Sequence, residues 1–168
     1  MIGVLSFRLR FSSAWLRFWP LGPRFMHARL LVVGDDVEKQ LEPFIDPATF
    51  ESPADGVDSP RSPNAKYDYY VLGGTWKHSL ELKSPRNVPG WFGLFTKEIN
   101  KTHTALKSEI KEDALLSHPP VSVLHAGVWE DAKFIIGRPP DDSWRRRFEQ
   151  IFRSLPDSAR LTIVDYHA

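Results

Sequence analysis

The sequence predicts one α+β domain: an antiparallel or mixed sheet with helices packed on one face. Three observations lead there. Two β-branched, apolar runs, HARLLVVG from His27 and RLTIVDYHA from Arg160, stand near opposite ends of the chain. A strongly amphipathic segment precedes the second, and short apolar runs separated by Pro- and Gly-rich links lie between. With 168 residues, 42% of them hydrophobic, there is material for one good core and not for two.

The domain is expected over residues 26–168. Residues 1–25 read differently, with no Asp or Glu, four arginines and a run of aromatics. Val4, Phe7, Phe11, Trp15 and Phe18 share one helical face, as in a membrane-surface or transit-like segment. The plainer expectation is an upstream extension, disordered or a misassigned start, with the true start at Met26. Arg8, Arg10, Arg17 and Arg24 break its apolar stretches, so it is too interrupted to span a bilayer.

The first strand leads into Asp35 and Asp36, N-cap candidates for a helix carrying Val37, Leu41 and Phe44. Residues 46–66 hold Pro47, Pro53, Pro60 and Pro63 among Asp, Ser and Gly, and read as a mobile loop. Beyond YDYYVLGGTW, the alternation of Trp76, His78, Leu80 and Leu82 with polar residues predicts a strand, followed by a link through Pro85, Pro89 and Gly90. Leu106, Ile110 and Ala114 suggest a helix to about Ser117. Around Ala126-Gly127, VSVLH and VWEDAKFII predict a hairpin. Asp141-Asp142 start the clearest helix, with Trp144, Phe148, Ile151, Phe152 and Leu155 on one face and Pro156 ending it. In the last strand Leu161, Ile163, Asp165 and His167 share one face.

Cysteine is absent, which removes disulfides and thiolate chemistry and makes a cytosolic address the default. The net charge of +1 provides no general field for nucleic acid or an anionic membrane. Arg145, Arg146 and Arg147 read as the solvated side of their helix, so nucleic-acid binding is disfavoured. No phosphate-binding loop, GxGxxG or GxSxG is found. His78, His103, His118 and His125 show no ligand spacing. No cofactor is implied.

Two constellations remain. Tyr67, Asp68, Tyr69, Tyr70, Gly73, Gly74 and Trp76 could make a ligand cradle, with aromatic walls, an acceptor in Asp68 and Gly-Gly amides facing a phosphate. The alternative is that alternate tyrosines enter the core while the glycines turn the chain. His27, Asp165 and His167 form the second. In a ferredoxin-like elaboration the first and last strands are antiparallel neighbours, so His27 falls beside His167 and the trio suits a divalent metal or acid–base work. Against this, Asp165 has Arg29 as a simple ion-pair partner.

The segments Tyr67–Trp76, Lys107-Ser108-Glu109-Ile110 and Thr162–His167 together resemble a family of uncharacterised small proteins from actinobacteria and their phages, marked by WDWYxxGGRW and a terminal TVVDCHI-like strand. The resemblance spans residues 26–168 and implies an origin and an architecture, not a reaction. Thr75 stands where the family motif has arginine, which weakens an anion-binding role for that motif. The expectation is a small non-enzymatic binding protein that sequesters a small ligand or docks on a host or partner protein. The alternative is a metal-assisted hydrolase or phosphoesterase using His27, Asp165 and His167.

Overall fold

A computed structural model describes residues 27–46, 63–90, 95–132 and 141–167. The leader, most of the expected loop at 46–66 and the stretch after Ala132 lie outside the described residues. Eight strands are described: β1 (His27–Val33), β2 (Tyr69–Leu72), β3 (Leu80–Pro89), β4 (Thr96–Thr102), β5 (Thr104–Leu106), β6 (Ser122–His125), β7 (Val128–Asp131) and β8 (Arg160–His167). The α-helices are α1 (Val37–Leu41), α2 (Glu112–Ser117) and α3 (Asp142–Ser154). The chain is an α+β domain around a mixed sheet ordered β2-β8-β1-β6-β7, with β5 also on β8 and β3-β4 a separate hairpin.

β1 and β8 are antiparallel neighbours in the register His27↔His167, Arg29↔Asp165, Leu31↔Ile163, and β6 runs parallel to β1 from Leu30↔Ser122. The ferredoxin-like reading carries no further than this adjacency of first and last strands. β2 and β5 lie end to end along the free side of β8, spanning Val164–His167 and Arg160–Thr162. Ile163, between them, donates its N–H to the His103 carbonyl and accepts from the Gly73 N–H.

Alternation along β1 and β8 sends successive residues to opposite faces. Leu31, Val123, Leu161 and Ile163 bury against Trp144, Phe148, Ile151 and Phe152 of α3, with Leu115 of α2 in the same cluster. Each such aromatic or aliphatic side chain contributes about 1.5–3 kcal/mol on burial. Asp141 caps α3 by accepting the Trp144 N–H at 2.9 Å, and the Trp144 indole N–H reaches the Pro120 carbonyl at 2.8 Å. At the other end Lys107 donates to the Leu155 carbonyl at 2.7 Å, closing the last turn.

α1 corrects the expectation that the helices share one face. Gly34, at φ +128, reverses the chain across the opposite side, where Val37 and Leu41 pack with Leu30, Val32, Leu124 and Val164. Two further expectations change. The link through Pro85 and Pro89 is the outer half of β3, tolerated because the hairpin is solvated and proline needs no ladder donor there. The helix expected through Leu106 and Ile110 begins only at Glu112. Thr104–Leu106 is captured by β8 as β5, a tertiary pairing that local periodicity does not report.

Candidate functional site

The face that buries Leu31 and Ile163 turns polar one strand step further on. There the register sets Arg29 beside Asp165 and then His27 beside His167, past the reach of α3's apolar stripe. Gly73 and Gly74, at φ +73 and +45, lead into a 3₁₀ turn over this end, which delivers the Thr75 N–H to Asp165 Oδ2 at 2.9 Å. A Cβ on Gly74 would lie 2.5 Å from the Asp165 Cβ, so glycine is what lets the turn close on the carboxylate. The Gly-Gly segment thus approaches a side chain of its own chain. The expected amide cradle is corrected at Gly73, whose N–H is spent on the Ile163 carbonyl at 2.8 Å.

Two imidazole–carboxylate pairs result. His27 Nδ1 lies 3.0 Å from Asp165 Oδ1, and His167 Nδ1 lies 2.7 Å from both Asp68 oxygens. A carboxylate only accepts, so each ring donates from Nδ1. The two rings are 5.7 Å apart, and Tyr69 stacks on His167 at 5.0 Å while its hydroxyl lies 3.4 Å from His27 Nε2. Burial pushes the Asp165 carboxyl up, but the Thr75 and His27 hydrogen bonds outweigh it and hold it below the usual carboxylate range. A carboxylate behind an imidazole fixes the ring's tautomer and orientation. His27, about half exposed, presents that oriented ring at the surface. Among the described residues no three metal-ligating side chains gather as a metal site would require. Each carboxylate faces its own imidazole.

Next to the pairs the sheet has a notch. β1 runs past the start of β6, so His27, Ala28 and Arg29 line a cavity of about 670 Å³ with Pro119, Val121, Trp76, Trp129 and Tyr166. Its walls are mainly apolar. Tyr166 is tied to Ser122 at 2.8 Å, and burial pushes its phenol up to about 12. Lys66 and Asp131 pair at 3.0 Å along the lining. Arg29 does not make the ion pair with Asp165 expected from the register. Its guanidinium bonds the His118 carbonyl and lies over the Trp76 ring, 5.5 Å from the centroid.

The expected tyrosine cradle is divided among different surroundings. Tyr67 is a core residue, 2% exposed, with its hydroxyl donating to the Leu41 carbonyl. Tyr70 packs edge-on against it. Tyr69 and Asp68 belong to the histidine pairs, and Trp76 alone of that segment lines the large cavity. Arg29, Trp129 and His118 were missed. The available signal was Arg29 itself, a lone cation inside an otherwise apolar strand. Of the arginine run, Arg147 forks onto Glu130 at 2.7 and 2.8 Å.

Comparison of the chain with protein-family models, with curated proteins and with solved structures returned no match. Among the described residues no helix is long and apolar enough to cross a membrane.

Proposed function

We propose that this domain is a small-molecule binding protein whose ligand sits in the notch at the His27 end of the sheet. The observation that carries the proposal is the cavity: about 670 Å³, walled largely by Trp76, Pro119, Val121, Trp129 and Tyr166. That size and lining fall in the range of sites for small organic ligands, about 300–1,000 Å³ and mostly apolar with a few polar groups. A bacterial or phage origin and a cytosolic address belong to the same proposal. The motif resemblance supports the first, and the cysteine-free composition the second. A thermal-shift screen with nucleotides, aromatic acids and neutral aromatics tests it. Stabilisation by a subset, lost in Trp129→Ala, is expected; no stabilisation by any compound, with native mass spectrometry showing an empty chain, defeats it.

A second proposal keeps the alternative of an enzyme and moves its chemistry from a metal to the imidazole. The Asp165–His27 pair supports it, because an exposed ring backed by a buried carboxylate is suited to general acid–base catalysis. Hydrolysis of chromogenic phosphodiesters or esters that disappears in His27→Gln and persists in chelator is the expected result. Activity unchanged in His27→Gln rules the proposal out.

A further inference from the structure

Arg29 occupies an unusual position for a cation. It stands on β1 directly before Leu30 and Leu31, which bury on opposite faces of the sheet, and it lines a cavity whose other walls are mainly apolar. The register neighbour that would neutralise it, Asp165, has one oxygen on the Thr75 N–H and the other on His27. Among the described residues no carboxylate forms an ion pair with Arg29, whereas the lining's other Lys/Arg cation, Lys66, is matched by Asp131. Burial lowers the pKa of the Arg29 guanidinium, the mark of a charge held away from water. Of its five N–H donors, the His118 carbonyl accepts from Nη2, and the guanidinium carbon lies over the Trp76 ring. The guanidinium is thereby oriented without being neutralised. Removing a charge from water without a partner is costly, and an incoming oxyanion offsets that cost with short, charge-assisted hydrogen bonds.

We infer that the cavity takes a ligand with an anionic head, a carboxylate, sulfonate or phosphate monoester, on a ring-bearing apolar body, and that Arg29 holds the head. This rests on the cavity being a ligand site. It adds the charge of the ligand and the residue that recognises it. Trp76 and Trp129 supply flat apolar walls for the rings, and Trp76 also fixes the guanidinium, so body and head are read side by side. Position 75, arginine in the motif this chain resembles, is threonine here, which weakens an anion-binding role for that motif. The geometry moves that role to β1.

The test compares an anionic aromatic probe, 8-anilinonaphthalene-1-sulfonate, with the neutral N-phenyl-1-naphthylamine, by fluorescence titration of the full chain and of Arg29→Gln and Arg29→Lys. Near-UV circular dichroism and melting curves check that each variant is folded. The wild type is expected to prefer the sulfonate by about tenfold or more, the scale of one charged hydrogen-bonded contact. Arg29→Gln is expected to erase that preference while leaving the neutral probe's affinity within about twofold, and Arg29→Lys to restore part of it. If both probes bind the wild type equally, the anion inference fails and the cavity proposal stands. If neither binds, the cavity proposal falls and takes the inference with it. A sulfonate preference that survives in Arg29→Gln overturns the assignment to Arg29. Should Arg29→Gln not fold, the wild type's preference still decides whether the site selects an anion, and a sulfonate preference undiminished in Arg29→Lys overturns the assignment to the Arg29 fork.

Discussion

The two imidazole–carboxylate pairs use the same chemical groups in opposite settings. In Asp165–His27 the acid is buried and the base open, with side-chain exposures of 4% and 49%. In Asp68–His167 the order is reversed, the base being 8% exposed and the acid 27%. A buried carboxylate fixed by a backbone amide is an anchor, and what it holds is an imidazole half open to solvent. A buried imidazole tied to a surface carboxylate is itself the held element. It shapes the sheet end and gives Tyr69 a ring to stack on. The comparison separates an accessible imidazole, His27, from a buried one, His167, although the sequence offers them as equals.

The harshest way to break the contrast is Gly74→Ala. The added Cβ meets Asp165 at a position with φ +45, where an L side chain is already strained. A loss of about 2–4 kcal/mol in urea denaturation is expected, with the His27 pair disrupted and the His167 pair kept in NMR spectra of the imidazoles. Asp165→Ala should cost less, about 1–3 kcal/mol, because it removes a buried carboxylate that accepts from both the Thr75 N–H and His27. Asp68→Ala should cost less again, about 1 kcal/mol, because its carboxylate is 27% exposed and water can take its place on His167 Nδ1. Equal losses at the two aspartates would remove the distinction drawn between the pairs.

The smallest effect is on acid stability. The Asp165 carboxyl is held below its ordinary value of 3.8 in the folded chain, so its contribution is complete above that value and is lost as pH falls through the lower, folded one. Melting temperatures taken from about pH 6 down to pH 2.5 should fall more steeply for the wild type than for Asp165→Asn, and only in the acid part of that range. Parallel curves would mean that Asp165 gains nothing from Thr75 and His27.

Much of the frame was legible in the sequence. β-branched alternation identified β1 and β8, their antiparallel pairing put His27 opposite His167, and Ala126-Gly127 made the turn between β6 and β7 with φ 50 and 75. The amphipathic stripe of α3 was equally plain, since all its expected inward residues from Trp144 to Phe152 are buried. What failed was whatever depended on a distant partner. Leu106 reads as helical until β8 claims it, and Pro89 reads as a link until β4 pairs with it. At the site, Asp165 and Arg29 each have an obvious mate in the register. Only the three-dimensional path of Gly73–Thr75 diverts the acid to another donor and leaves the arginine facing the cavity.

The split partner of β8 has a consequence for solubility. Tyr69, Val71 and Leu72 stand exposed on β2, the kind of apolar edge that recruits strands from other molecules. Yet that edge is β2, four residues long, and β5, three residues long, interrupted at Gly73, which leaves the extended conformation. An incoming strand finds no straight template longer than a single turn of pairing. The same interruption that brings the Thr75 amide over Asp165 therefore also breaks up this edge as a template for strands from other molecules.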